Sequence, residues 1–169
     1  MGFSYAKLES WEKMKIQILD KTKKKKFIEK ISYLGIEKFP YLLIKTGAER
    51  VRAYSGSLSV DEIIRLWNDV RMESIGLYFG KEIEDSARLS VDAMHVLKKQ
   101  IIKNIVELSE EQEKQWFYGK DILLSEEQQE KYKVFENYVA VSSGGDFVGT
   151  GKLSQDKKYC LISCRRKDE

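Results

Sequence analysis

A two-residue turn between two alternating segments is the feature that most restricts how this chain can fold. The stretch YVAVSSGGDFVGTGKLS, residues 138–154, places Gly144 and Gly145 between two runs in which apolar residues alternate with small or polar ones. Paired glycines favour the left-handed backbone of two-residue hairpin turns, and alternation is typical of half-buried strands. We therefore predict an antiparallel hairpin here, followed by one more strand in KYCLISCRR, residues 158–166.

The segment before this hairpin combines a short strand with a capped helix. NIVEL, residues 104–108, has the composition of a strand. Ser109 and Gln112 have the spacing of a capping box, and the helix that they begin should end at Gly119. One helix among several short strands favours a small mixed barrel over a helix-rich fold. We assign this barrel to residues 99–169 as one domain.

Residues 1–98 are predicted to form a separate α+β domain. Two helical stripes are expected, one from Trp11, Met14, Ile18 and Leu19 and another from Phe27, Ile28, Ile31 and Leu34, ending at Gly35. Between them, the lysine run 23–26 is either an exposed helix face or part of an RNA-binding surface. Two paired strands should follow in residues 41–47 and 49–56.

The remainder of this first domain is expected to alternate between helix and strand. Ser59 and Glu62 form a second capping box, and the helix after them should bury Ile63, Ile64, Leu66 and Trp67. A strand through Leu77–Phe79, a turn at Gly80, a strand in residues 87–91 and a short helix in residues 92–97 complete the prediction.

Catalytic and metal-binding patterns are not found in the sequence. GGDFVGTGKLS lacks the spacing of a phosphate-binding Walker loop. His95 is the single histidine and is interpreted as structural, while Cys160 and Cys164 are interpreted as reduced thiols of an intracellular protein. These observations predict a binding protein that is not an enzyme and has no metal or cofactor.

Targeting signals are also not evident. No apolar run approaches the roughly 20 residues that span a bilayer, and the N-terminal residues lack the apolar core of a secretory signal. We therefore expect a cytoplasmic protein without membrane attachment. The formal net charge of +3 is small, so any anionic partner must contact local basic patches.

Basic residues interleaved with aromatic ones form the most suggestive local pattern. Lys114, Trp116, Phe117, Tyr118 and Lys120 surround the turn at Gly119. Aromatic side chains beside basic ones can stack on bases and neutralise phosphates. Trp116 and Phe117 could equally belong to the core, and the sequence leaves both interpretations open.

The order of elements in the second domain resembles a PUA domain, an RNA-binding module of pseudouridine synthases and archaeosine transglycosylases. The resemblance rests on the strand NIVEL, the helix that ends in FYGKDIL, the strand YVAVSSGGD and the strand FVGTGKLS. The preceding segment, IGLYFGK with ARLSVDA, is similar to the end of the pre-PUA domain in the Nip-seven family of ribosome-biogenesis factors. The same pair of domains accompanies RNA methylases of the Nol-one/Nop-two/Sun group.

The resemblance implies an α+β fold, with an N-terminal pre-PUA domain packed on a PUA-like pseudo-barrel. It implies a protein that binds structured rRNA or tRNA in ribosome biogenesis or RNA maturation, with no DNA partner and with a protein partner at the pre-PUA face. An adaptor that docks on an RNA-modifying enzyme without contacting RNA is the alternative. Carried over by position, the implied RNA-binding residues are Gly119, Lys120, Asp121, Gly149, Gly151, Lys152, Arg165 and Arg166.

Overall fold

The first half of the chain forms an antiparallel meander. A computed structural model describes residues 15–136, 138–154 and 160–164. Its first sheet has five strands in chain order, each antiparallel to the next: β1 (Ile16–Ile18), β2 (Leu42–Thr46), β3 (Arg50–Tyr54), β4 (Leu77–Ile83) and β5 (Ser86–Leu89). Three helices accompany it: α1 (Lys21–Ile31), α2 (Val60–Asp69) and α3 (Val91–Val96).

The second half forms a curled half-barrel that mixes parallel and antiparallel pairing. Its strands are β6 (Ile105–Glu107), β7 (Ile122–Leu123), β8 (Tyr138–Ser143), β9 (Asp146–Leu153) and β10 (Cys160–Ser163), in the spatial order β6-β8-β9-β10-β7. The helices α4 (Glu110–Phe117) and α5 (Glu126–Tyr132) both begin with complete capping boxes. The expected α+β class is confirmed.

The predicted hairpin is present between β8 and β9. Gly144 and Gly145 have φ values of 56° and 84°, which is the left-handed backbone that a two-residue turn requires. Ser109 caps α4, and Gly119, with a φ of 72°, ends it as predicted. These local signals therefore located the hairpin and the ends of α4, whereas β7 and the parallel pairing of β6 with β8 were not predicted.

The predicted first helix is wrong where the structure describes it. Residues Ile16–Ile18 form an edge strand paired with β2, and the Leu19 N–H donates to the Leu43 carbonyl at 2.9 Å. The side chain of Asp20 accepts a hydrogen bond from the Lys23 N–H, so the helix begins only at Lys21. Trp11 and Met14 lie outside the described residues. The lysine run is therefore part of α1.

Two further details of the first sheet differ from the prediction. Only Ile63 and Trp67 are buried on α2, whereas Ile64 and Leu66 are 40% and 38% exposed. Gly80 lies inside β4, and the chain reverses after Ile83. A Cβ on Gly80 would lie 2.3 Å from the Arg88 carbonyl oxygen. The glycine therefore allows β4 and β5 to approach closely and does not form a turn.

The two sheets share one hydrophobic core. Phe27 of α1, Phe79 of β4 and Met94 of α3 belong to the same buried cluster as Ala140 and Phe147 of the second sheet. A second cluster around Trp116 fills the half-barrel beneath α4 and α5. No helix in the described ranges combines the length and apolar character needed to cross a membrane.

Candidate anion-binding cleft

Three arginines lie on one face of the first sheet because of strand register. Arg50 and Arg52 are two residues apart on β3 and therefore share a face. Arg50 pairs with Lys81 of β4, which in turn pairs with Arg88 of β5, while Arg52 pairs with Tyr78. Residues directly opposite one another in antiparallel strands project to the same side. The register therefore gathers basic side chains from three strands.

These side chains line a cleft between the first sheet and β9. We call it the arginine cleft, and its volume is about 590 Å³. The described residues that line it are Arg50, Arg52, Tyr78, Arg88, Leu89, Ser90, Val91, Val148, Gly149, Thr150 and Cys164. None of these is Asp or Glu, so the charged groups among the described lining residues are all arginines.

Hydrogen bonds between the two sheets fix the walls of the cleft. Thr150 Oγ1 donates to the Leu89 carbonyl at 2.8 Å, and the Cys164 N–H donates to the Thr150 carbonyl at 3.0 Å. Arg88 Nη1 donates to the Cys164 carbonyl. Because these bonds join β5, β9 and the residue after β10, the cleft is formed before any ligand enters.

The charge on the arginines is balanced differently from that on nearby lysines. Lys30 and Lys45 both pair with Glu82, and Lys81 pairs with Glu49 at 2.7 Å. Arg52 and Arg88 donate instead to backbone carbonyls, and for Arg52 the acceptor is Gly76 at 3.0 Å. Neutral carbonyls do not cancel the positive charge, and no carboxylate within the described ranges pairs with Arg52 or Arg88, so the cleft is suited to an anion.

The electrostatic surroundings of the cleft extend to Lys152. Burial raises the pKa of the Cys164 thiol, and the positive charges of Arg88 and Lys152 oppose this shift. Burial likewise raises the pKa of Tyr138, while Arg88 and Lys81 act in the opposite direction. Lys152 Nζ lies 5.9 Å from the centroid of the Tyr138 ring. The predicted residue Lys152 is therefore near Cys164, which lines the cleft together with the arginines.

The predicted turn Gly119–Asp121 lies farther along the second sheet. All three residues are exposed, as are Phe117 and Tyr118 before them, at 56% and 82%. Strand β10 separates this turn from β9, because Ile162 pairs with Lys152 while Leu161 pairs with Ile122. Two strand spacings, roughly 10 Å, therefore lie between the turn and the strand that carries Lys152.

Gly149 and Gly151 face the core of the half-barrel. A Cβ on Gly149 would lie 2.7 Å from Trp116 Cζ2, and one on Gly151 would lie 2.6 Å from Leu161 Cδ1. Trp116 is fully buried, which decides between the two interpretations of this residue in favour of the core. These glycines let neighbouring side chains approach β9, and Gly149 also lines the cleft.

Arg165 and Arg166 lie outside the described residues. Cys160 and Cys164 are free thiols, as expected. His95, which was interpreted as structural, is exposed on α3. Over the described ranges, no group of three or more His, Cys, Asp or Glu side chains could hold a metal ion.

The arginine cleft was missed as a site at the sequence level. One signal was available: in ERVRAY, Arg50 and Arg52 alternate with Val51 and Ala53, both of which are buried. Alternation of this kind places both arginines on the face opposite the core. Arg88 joins them only through the pairing of β4 with β5, which no local pattern reveals.

Comparisons with known protein families and curated proteins assign no role to this cleft. No protein-family model matches the chain, and no curated protein sequence matches it.

Proposed function

We propose that this protein is a non-catalytic RNA-binding protein of the cytoplasm that acts in ribosome biogenesis or RNA maturation. In this proposal residues 1–98 are a pre-PUA domain and residues 99–169 are a PUA domain, and structured rRNA or tRNA is the ligand. The observation that carries the proposal is the set of three arginines, Arg50, Arg52 and Arg88, on one wall of a cleft between the two sheets.

The chemistry of these side chains supports a phosphate-rich partner. A guanidinium group offers several donors in one plane and remains charged at all physiological pH values. Lys152 adds a further positive charge beside the cleft, and Lys120 lies beyond β10 with the exposed Phe117 and Tyr118. Proteins recognise unpaired stretches of RNA with this combination of basic groups and exposed aromatic rings. The proposed RNA surface thus runs from the cleft across β9 and β10.

The proposal is tested by RNA binding as a function of salt. The logarithm of the association constant should fall linearly with the logarithm of salt concentration, because each neutralised phosphate releases counterions. Arg50→Ala should reduce the slope by about 0.7–0.9, the contribution of one phosphate contact. Arg50 is the best residue to change because it is exposed and no carboxylate or carbonyl partner for it is found in the described ranges.

Arg65→Ala provides the matched control. Arg65 is also an exposed arginine, but it lies on α2 and does not line the cleft. It should leave both affinity and salt slope unchanged. RNA binding no stronger than that of a protein of equal net charge, or equal effects of the two substitutions, would remove the basis of the proposal.

A second candidate function is supported by partly exposed apolar side chains along the two edges of the buried side of α2. Val60, Ile64, Leu66 and Val70 on or beside this helix are each about two-fifths exposed. Exposed apolar side chains grouped on one helix are typical of protein contact sites. This favours the alternative of an adaptor that docks on an RNA-modifying enzyme. An adaptor would keep its enzyme partner after nuclease treatment and would lose it in Ile64→Glu, whereas an RNA-binding protein would lose its associated proteins with the RNA.

A further inference from the structure

The dimensions of the arginine cleft match a small ligand group. Its volume of about 590 Å³ lies within the range of roughly 300–1,000 Å³ of small-molecule and cofactor sites. A lone phosphate would leave most of this space empty. A double helix presents its phosphates on a continuous convex surface, which can contact the rim of a cleft but cannot fill it. The ligand group that fills the cleft is therefore larger than a phosphate and is not part of a double helix.

The walls of the cleft offer both apolar and planar surfaces. Leu89, Val91 and Val148 contribute aliphatic groups, and Tyr78 is half-buried beside Arg52. An aromatic ring and guanidinium planes are the groups on which unpaired bases stack. A phosphate needs none of these surfaces. The walls are therefore suited to a nucleobase in addition to an anion.

The arginines are held at different depths. Arg52 and Arg88 are half-buried, and their hydrogen bonds to the Gly76 and Cys164 carbonyls fix their orientation. Each guanidinium keeps further N–H donors for a ligand, because the side chain carries five. Arg50 is exposed at the entrance of the same cleft. A base could thus lie in the cleft beside these guanidinium groups while its phosphate contacts Arg50.

From these observations we infer that the arginine cleft accepts a single unpaired nucleotide from an RNA loop or bulge, and not the backbone of double-stranded RNA. This inference rests on the proposed RNA-binding function and specifies its ligand. Because hydrogen bonds between the two sheets already fix the walls, the nucleotide enters a preformed site.

The inference is tested with two RNAs and two substitutions on the same helix. One RNA is a hairpin with an unpaired loop that carries a fluorescent base analogue, and the other is a fully paired duplex of the same stem sequence. Val91→Phe narrows the cleft without changing its charge, because Val91 lines it. Val96→Phe is the control, since Val96 is an exposed valine of α3 that does not line the cleft.

The whole chain of 169 residues should bind the hairpin about tenfold more tightly than the duplex, the effect expected for one stacked base. Binding should also change the fluorescence of the base analogue in the hairpin loop. Val91→Phe should abolish most of the preference for the hairpin and most of this fluorescence change, while the affinity for the duplex and the salt slope remain as in the wild type. Val96→Phe should change neither. A thermal melt of each variant shows whether the fold is retained.

Two results would overturn the inference separately from the proposed function. Equal affinity for hairpin and duplex, with both weakened by Arg50→Ala, would leave RNA binding intact but reduce the cleft to a phosphate contact. Equal weakening of both RNAs by Val91→Phe would also overturn it. Absence of binding to either RNA would refute the proposed function itself.

Discussion

Replacing Gly149 by alanine tests whether this glycine is needed for packing. The added methyl group would lie 2.7 Å from Trp116 Cζ2 and 3.2 Å from both Cε2 and Nε1. The indole cannot move freely, because Trp116 is fully buried and its Nε1–H donates to the Val148 carbonyl at 3.2 Å. The backbone of Gly149 is not in the left-handed region, so the effect of the substitution is steric and not conformational.

The expected size follows from this geometry. Ordinary van der Waals contact begins at 3.4 Å, so Trp116 and β9 must separate by 3.4 − 2.7 = 0.7 Å. Overpacking of this kind costs about 1–3 kcal/mol, and weakening of the indole hydrogen bond adds about 0.5–1.5 kcal/mol. We expect a loss of about 2 kcal/mol in the free energy of unfolding, which lowers Tm by about 4–8 °C in a chain of this length.

A double-mutant cycle that combines Gly149→Ala with Trp116→Phe tests whether the contact between the new methyl group and the indole causes this loss of stability. Phenylalanine lacks the indole atoms that the new methyl group would meet, although the substitution alone leaves a cavity. The double variant should therefore be more stable than the sum of the two single effects, by about 1 kcal/mol or more. Urea denaturation followed by circular dichroism measures all four proteins.

Lys152→Ala is the control on the same strand. Lys152 is exposed, and surface substitutions usually change the free energy of unfolding by no more than about 0.5 kcal/mol. The Tm of the Lys152→Ala variant should therefore change little. Its RNA affinity should fall. An unchanged Tm for Gly149→Ala, or additive effects in the cycle with Trp116→Phe, would refute the packing argument.

Two further predictions concern the scaffold of the site. Burial alone disfavours the Glu82 carboxylate, but hydrogen bonds from Lys30 at 2.7 Å and Lys45 at 2.6 Å outweigh it and hold the pKa of Glu82 below its ordinary value. The stability that this carboxylate contributes is thus present above the ordinary pKa and is lost as the pH falls through the lower folded value. Urea melts from neutral to acid pH should show a shallower loss for Glu82→Gln, and an identical profile would contradict this. Ser109→Ala removes the cap of α4 and should cost about 1 kcal/mol in urea melts, whereas Ser57→Ala in an exposed loop should cost almost nothing.

Signals within one element predicted most of this fold. Ser59, Ser109 and Gly119 mark helix ends through contacts with residues three or four positions away, and such contacts are visible in the sequence. The same holds for Gly144 and Gly145, whose turn needs only its own backbone. Local chemistry decides these features, so these helix ends and this turn could be located from the sequence.

Features that depend on distant neighbours were not predicted. Ile16–Ile18 is a strand because β2 lies beside it, although the apolar spacing around it is also compatible with a helix. Ile64 and Leu66 are exposed because the first sheet contacts only the side of α2 that carries Ile63 and Trp67. Periodicity shows that a helix has an apolar side but not how wide the contacting surface is.

The site differs from the fold in this respect because its residues are joined only by register. Arg50 and Arg88 lie far apart in sequence, and they meet because Lys81 pairs with both. A shift of one residue in either pairing would turn one arginine to the opposite face. Gly80 permits that register, since any Cβ there would collide with the carbonyl of Arg88.

Strand β9 then connects this row of arginines to the second sheet. On one side, Gly149 accommodates Trp116; on the other, the Thr150 hydroxyl donates to Leu89 and its carbonyl accepts from Cys164. Adjacent residues of one strand therefore anchor it to the interior of the half-barrel and to the first sheet, and a displacement of β9 by Gly149→Ala must also move a wall of the cleft. Lower stability and weaker hairpin-RNA binding should consequently appear together in Gly149→Ala, whereas Lys152→Ala should separate them.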